Sequence, residues 1–280
     1  MPETPGQSAM LTRNIPSSGE PLPVVGCGTW QTFDSGTSPT ELEAPRQVLE
    51  RLFAAGGSVI DTSPMYGRAE QVAGEVLASL APGSPRFLAT KVWTTGRRAG
   101  IKQMEHSFRL LKSDVIDLMQ IHNLVDWRTH LPVLKEWKAA GRLRYIGVTH
   151  YTDSAHGDLE AVLRSETFDF VQLNYSLLDR AAERRLLPAA QDLGVAVLVN
   201  RPLGEGTLIR RLSDRPLPEV ARELGCGSWS ELALKYIVAH PAVTCIIPAT
   251  SDPEHMKSNA RAGFGDVATD EQRRRISQAL

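Results

Sequence analysis

Cysteine is scarce in this chain. Its 280 residues hold three, Cys27, Cys226 and Cys245, odd in number and far apart. That leaves no disulfide framework and no zinc-ligand spacing, and it fits reduced, buried thiols in a cytoplasmic protein. Charge of one sign is lacking too. Lysine plus arginine come to 31 against 32 for aspartate plus glutamate, a net charge of -1, which offers neither nucleic acid nor a membrane surface a field to follow. No apolar run approaches the roughly 18 residues of a membrane span. The opening Met1-Pro2-Glu3-Thr4-Pro5-Gly6-Gln7-Ser8 has neither the basic nor the apolar region of a secretory signal. Also missing is Gly-x-Gly-x-x-Gly after the first apolar run, which ends Gly26-Cys27-Gly28-Thr29-Trp30. That weighs against a doubly wound dinucleotide-binding sheet. No fixed-period repeat or low-complexity tract is present, and His122 and His150 have few acids near them, so no metal site is expected.

What is present alternates. At 42% hydrophobic, the chain can fill one large core, and 1–280 is expected to be a single domain. The Pro-, Gly- and Ser-rich start predicts a flexible tail over 1–11 and then a short hairpin around Ser17-Ser18-Gly19-Glu20. Strand-like runs follow near 24–27, 58–61, 86–90, 115–121, 143–148, 168–173, 195–199 and 243–247. Helical stretches near 41–55, 68–80, 99–112, 129–140, 155–164, 179–192, 228–239 and 253–261 lie between and after them. Eight strand–helix units with no break in composition predict an α/β protein, a (β/α)₈ TIM barrel.

Ionisable residues mark three consecutive strand ends. Asp61 ends Ser58-Val59-Ile60-Asp61, with Tyr66 in the loop beyond; Lys91 ends Phe87-Leu88-Ala89-Thr90-Lys91; His122 ends Ile116-Asp117-Leu118-Met119-Gln120-Ile121-His122. Taken singly, each has an ordinary explanation: Asp61 as a cap, Lys91 as a snorkelling rim cation, Tyr66 as a loop aromatic, His122 as a core histidine. Together they are a charge set at one barrel rim, costly to bury unless used. A phenol titrates near 10, and a nearby ammonium lowers that value. Asp61 would keep Lys91 charged, Lys91 would tune Tyr66, and His122 would orient a carbonyl oxygen. That is a general acid aimed at an oxygen, without a nucleophile–base pair. Its hydride must come from a nicotinamide cofactor, because no side chain supplies one.

At these residues the chain resembles the aldo-keto reductase family. The matching stretches are Asp61-Thr62-Ser63-Pro64-Met65-Tyr66-Gly67, Ala89-Thr90-Lys91-Val92-Trp93, Asp117–His122, Tyr145-Ile146-Gly147-Val148-Thr149, Val171–Arg180 and Ile246-Ile247-Pro248-Ala249-Thr250. They occur in the family's order and run from about residue 12 to 262. The resemblance implies a barrel whose N-terminal hairpin closes the bottom, with NADP(H) extended over the C-terminal rim and NAD(H) as the alternative coenzyme. It implies catalysis by Tyr66 with Asp61, Lys91 and His122, on a small-molecule aldehyde or ketone.

By the same resemblance, Gly28, Thr29, Trp30, Asp61, Thr149, His150, Gln172, Asn200, Arg201, Leu203, Gly204, Thr250, His255 and Asn259 bind cofactor. His150 stands where the family usually has Asn, and Asn200 where many relatives stack an aromatic on the nicotinamide. Ala249 and His255 stand where NADPH-selective relatives have Lys and Arg, which implies a modest coenzyme preference. Trp30, Trp93 and Trp127 follow strands at the rim and, with Tyr66 and His122, are expected to wall the substrate pocket. Glu183-Arg184-Arg185 and Arg273-Arg274-Arg275 read as solvated helix faces. Two other functions remain open on this scaffold: a lyase or isomerase using the same tyrosine, and a redox-silent nucleotide-binding barrel. The sequence assigns no oligomeric state.

Overall fold

A computed structural model describes residues 9–81 and 83–280. The chain opens with a hairpin, β1 (Thr12–Asn14) antiparallel to β2 (Pro21–Pro23). Eight parallel strands follow: β3 (Cys27–Gly28), β4 (Val59–Asp61), β5 (Phe87–Val92), β6 (Ile116–His122), β7 (Leu143–Thr149), β8 (Phe170–Asn174), β9 (Ala196–Asn200) and β10 (Cys245–Ile246). Each pairs with the next, and parallel bridges Val25–Ile246 and Gly28–Ala249 bring the last strand back to the first. The closure is tight at Gly28, where a Cβ would lie 2.8 Å from the Ile247 carbonyl oxygen. The barrel expected from the alternating pattern is the fold observed.

The helices are α1 (Pro39–Ala54), α2 (Ala69–Ser79), α3 (Arg97–Leu111), α4 (Trp127–Ala139), α5 (His156–Ser165), α6 (Leu186–Asp192), α7 (Thr207–Leu212), α8 (Glu219–Glu223), α9 (Trp229–Val238), α10 (Pro253–Arg261) and α11 (Asp270–Gln278). The short α7 and α8 had no counterpart among the expected helical stretches, and α11 was foreshadowed only by the reading of Arg273-Arg274-Arg275 as a helix face. None of the described helices is long and apolar enough to cross a membrane.

Two cores result. The larger lies between barrel and helices; the smaller fills the barrel with Val59, Phe87, Ala89, Leu118, Tyr145, Phe170, Ala196, Leu198, Cys245 and Ile247. Ile15 and Leu22 of the hairpin belong to that inner cluster, so the hairpin plugs the bottom. Of the tail expected at 1–11, residues 1–8 lie outside the described residues. Met10 is buried and the Leu11 amide donates to the Gly263 carbonyl, 2.8 Å. All three cysteines are free; Cys27 and Cys245 are buried and Cys226 is partly so.

Candidate active site

Strand side chains alternate between two faces, so each barrel strand has an inward column. In β4 it passes from Val59 to Asp61, in β5 from Phe87 and Ala89 to Lys91, in β6 from Leu118 to Gln120 and His122. In β7 it runs from Tyr145 to Thr149, in β8 from Phe170 to Gln172, in β9 from Ala196 and Leu198 to Asn200. The apolar members are those of the inner core, and each of these six columns turns polar at its C-terminal end. The bottom of the barrel is a hydrocarbon plug and the top is a polar floor.

Asp61 is the hub of that floor. Its Oδ2 accepts from Lys91 Nζ at 2.6 Å, and its Oδ1 from Gln172 Nε2 at 2.8 Å and Gln120 Nε2 at 3.1 Å. Lys91 is fully buried and donates a second time, to the Thr62 carbonyl, 2.7 Å. Its ammonium lies 4.9 Å from the centre of the Tyr66 ring. Tyr66 is half-buried and meets the His122 ring edge-on, centroids 5.9 Å apart. Ser63 fixes that corner: its Oγ lies 3.1 Å from His122 Nδ1, and its carbonyl accepts the Tyr66 amide, 3.0 Å. The four residues singled out at the strand ends thus converge.

Burial and charge set the protonation states. Burial works against the Lys91 charge, but the Asp61 carboxylate and Tyr66 outweigh it and hold the ammonium above its ordinary value. Burial and then the Lys91 charge push His122 down to about 2, so its imidazole is neutral at physiological pH. For Tyr66, burial is the largest influence and raises the phenol; Lys91 pulls the other way without overcoming it. The lowering expected from Lys91 is therefore present as a contribution, while the net direction is upward because the hydroxyl is poorly solvated.

The remaining expected site residues fall at several distances from this centre. The Thr29 amide and hydroxyl both donate to the Asp61 carbonyl, 3.1 and 3.0 Å, and bring Gly28 and the half-buried Trp30 to the rim. Thr149 Oγ1 donates to Gln172 Oε1, 3.3 Å; Asn200 Nδ2 reaches the His150 carbonyl and Gln172 Oε1, 3.3 and 3.4 Å. Arg201 donates to the Tyr151 carbonyl, 3.1 Å, and pairs with Glu205, 2.9 Å. Leu203 and Gly204 continue that loop, in which Arg201, Gly204, Glu205 and Gly206 all have positive φ. Thr250 and Asn259 are buried at α10, whose start is capped by Asp252 accepting the Glu254 amide, 2.8 Å. His255 is exposed beside Asp252, 3.8 Å. Trp93 is 42% exposed, its ring 6.3 Å from that of His122. Trp127 opens α4 and lines a groove with Leu124, Arg128, Asp158, Ala161 and Val162, between α4 and α5.

Ser63 was not among the expected site residues, and two more of this neighbourhood escaped the sequence reading. Gln120 shares the inward column of His122, two positions earlier, so strict alternation would have found it. Glu70 is buried in α2 and accepts from Thr90 Oγ1, 2.6 Å, behind Lys91; burial raises its carboxyl. Its signal was a lone acid on the stripe Glu70, Ala73, Gly74, Leu77, all buried.

Known proteins resemble this chain in sequence and in fold. The Aldo/keto reductase family model matches residues 24–280. The methylglyoxal reductase YeaE of Escherichia coli (strain K12) is 29% identical over 261 residues, 90% of this chain and 89% of that protein. An NADH-specific methylglyoxal reductase of the same strain is 28% identical over 234 residues, 71% of this chain and 69% of that one. Among solved structures, the holo form of the Bacillus halodurans aldo-keto reductase AKR11C1 superposes with a TM-score of 0.76 at 26% identity, covering 96% of both chains. A Klebsiella pneumoniae aldo/keto reductase in complex with NADP and acetate has the same fold, TM-score 0.78 at 24% identity, over 93% of this chain and 92% of that one. With its match running from the first barrel strand to the C-terminus, the chain belongs to the aldo/keto reductase family.

Proposed function

We propose that the protein reduces an aldehyde or ketone to the alcohol, or runs the reverse reaction, with Tyr66 as the proton donor and NADP(H) as coenzyme, NAD(H) as the alternative. The observation that carries this reading is the fully buried Lys91, held by Asp61 and facing the Tyr66 ring. A buried ammonium is expensive, and here its field falls on a phenol at the open end of the barrel.

The polar floor fits a nicotinamide. Asn200 Oδ1 is buried without a donor, and a primary carboxamide supplies one. Thr149, His150 and Gln172 would hold the same group. Arg201, Leu203 and Gly204 would flank the pyrophosphate, and Thr250, His255 and Asn259 the adenosine end. When bound, the coenzyme supplies the hydride that no side chain provides.

The protein's own part is protonic and electrostatic. In the tautomer this reading requires, Ser63 Oγ–H donates to His122 Nδ1 and the imidazole proton sits on Nε2, free to donate to a carbonyl oxygen. Neutral His122 orients that oxygen without competing for the proton. Tyr66 then protonates it, and Lys91 stabilises the phenolate left behind, its own charge balanced by Asp61. Burial keeps Tyr66 a phenol at neutral pH, which suits reduction; alcohol oxidation needs the phenolate and should rise with pH.

Tyr66→Phe keeps the ring and removes the acid. Turnover should fall by about 10²–10⁴-fold while coenzyme titrations are unchanged. Methylglyoxal, the substrate named for two of the relatives, is the first carbonyl to try. Retention of more than about a third of kcat would remove Tyr66 from the acid role.

Coenzyme preference should be modest. Ala249 is apolar, and the nearby cations are engaged, Lys257 with Glu254 at 3.6 Å and Arg261 with Glu231 at 3.2 Å. A hydrogen bond to a charged group is worth about 1.5–3 kcal/mol, so missing one or two erases a large preference. NADPH should bind less than about 100-fold tighter than NADH, roughly 2.7 kcal/mol. A ratio of dissociation constants above about 1,000, or some 4 kcal/mol, would mean that Lys257 or Arg261 swings in to the 2′-phosphate.

A further inference from the structure

Side chains from two helices converge on the backbone of the loop after β5. The Trp93 amide donates to Gln103 Oε1, 2.6 Å, and Gln103 Nε2 donates back to the Trp93 carbonyl, 3.1 Å. One α3 side chain thereby holds both backbone groups of a single residue. His130 of α4 donates through Nε2 to the Thr94 carbonyl, 2.7 Å. The Gly96 amide donates to Asp126 Oδ2, 2.7 Å, and Asp126 Oδ1 accepts from Thr129 Oγ1, 2.7 Å.

These ties are built at a cost that packing alone does not explain. His130 is fully buried, and its Nδ1 has no partner; a hydrocarbon of the same shape would avoid that penalty. Helix α3 is notched to admit the ring, since a Cβ at Gly100 would lie 2.5 Å from the imidazole. Asp126 sits at φ 47°, and Asn123 and Leu124 before it at 53° and 57°, a run of left-handed conformations that side chains other than glycine adopt with strain. What all this holds still is Trp93, an exposed indole 6.3 Å from His122.

We infer that Gln103, His130 and Asp126 are positioning residues that fix the Trp93 wall and so govern which carbonyl compounds fit against His122. The inference rests on the reading of this mouth as a carbonyl-reducing site. An indole carried on a fixed backbone costs less to order when substrate arrives; on a loose loop both backbone and ring must be ordered at each encounter, and the loss appears in substrate binding. The three residues touch neither Tyr66 nor Lys91, so the proton-transfer step keeps its groups.

The test is a double-mutant cycle read in KM and kcat. Gln103→Ala and His130→Leu should each raise KM for the carbonyl about tenfold, with kcat and coenzyme affinity within about twofold. His130→Asn, which keeps a donor, should recover most of the loss. Trp93→Ala should raise KM similarly, and adding Gln103→Ala to it should change little more. Additive effects would overturn the inference, because the clamp would then act on something other than Trp93. So would a fall in kcat at constant KM. Hydrogen exchange at the Trp93 and Gly96 amides supplies a readout free of turnover: Gln103→Ala should speed exchange at Trp93, and unchanged exchange would again overturn it. A wild-type protein without carbonyl turnover would sink the reading of the mouth, and the clamp would then stand or fall on the exchange result.

Discussion

The molecule contains two quartets of tyrosine, base, carboxylate and histidine, and they are wired in opposite senses. In the mouth are Tyr66, Lys91, Asp61 and His122. On the outside of the barrel are Tyr175, Arg273, Glu183 and His240, with Tyr236 as a fifth member. In the mouth the carboxylate holds the cation, and the cation faces the phenol. Outside, the carboxylate holds the phenols. Glu183 Oε1 accepts from Tyr175, from Tyr236 at 2.8 Å and from Arg273 at 2.7 Å, while Arg273 also donates to the Tyr175 hydroxyl, 2.8 Å. Burial pushes the Tyr175 phenol above its ordinary range, and its bond to Glu183 adds to the effect. A phenol whose proton is committed to a carboxylate cannot hand it to a ligand. The same four chemistries make an acid when one bond is left open and a rivet when all are closed. The outer set joins α11 to α9 and to the turn at 181–184.

The sharpest way to break that contrast is Lys91→Met. It removes the field on Tyr66 and strands the Asp61 carboxylate. Turnover should drop about 10²–10⁴-fold, and stability should fall by about 3–5 kcal/mol, the range for a severed buried pair. The phenol, no longer pulled down by Lys91, should titrate still higher, so the alkaline limb of alcohol oxidation moves up in pH. An unchanged pH profile would show that Lys91 does not tune Tyr66. Because burial and then the Lys91 charge hold His122 near 2, the wild-type protein should show no inflection from it between about pH 5 and 8.

Arg273→Met should do the converse. Denaturant unfolding should report a loss of about 2–3 kcal/mol, less than for a fully buried pair because the Arg273 and Glu183 side chains are 15% and 27% exposed. Turnover should stay within about twofold of wild type at a temperature where both are folded. Inactivity without destabilisation would erase the distinction between acid and rivet. The smallest effect is expected at Gln120→Leu, which takes one neutral donor from Asp61 and leaves Lys91 in place. About 0.5–1.5 kcal/mol, or up to roughly tenfold in kcat, should be lost, with coenzyme affinity unchanged. A loss as deep as that of Lys91→Met would make Gln120 an equal partner in holding the carboxylate.

The inner quartet was legible in the sequence, and the outer one was not. Asp61, Lys91 and His122 announce themselves because a charge at the end of an apolar run is anomalous within half a dozen residues, and the barrel rule sends all strand ends to one rim. Arg273 and Glu183 lie 90 residues apart, each within a charged triplet that matches a solvated surface. Only the docking of α11 brings them together, and no local period encodes that. Contrary to the expected solvated face, Arg273 is therefore a partly buried linchpin: α11 turns one arginine inward beside Ile276, its only buried residue. The short α7 and α8 were missed for a related reason, since stretches of six and five residues carry too few turns for a helical period to show. Gln172 was named through the family resemblance alone, and its bond to Asp61 follows from barrel closure rather than from spacing.

The hairpin at the barrel bottom bears on the order in which the molecule is completed. Arg13 donates to the carbonyls of His240 and Val243 at 2.5 and 2.8 Å, and to that of Val238 at 2.8 Å, across 225–230 residues of chain. A ribosome delivers Arg13 well before any of those three carbonyls, 225–230 residues further along the chain. The plug therefore lacks its Arg13 anchors until α9 and the turn after it have emerged, and a segment made early is fastened late. Until then the hairpin can rest only on the earlier strands, with Ser18 and Glu20 against Tyr145, and the bottom of the barrel is covered before it is clasped.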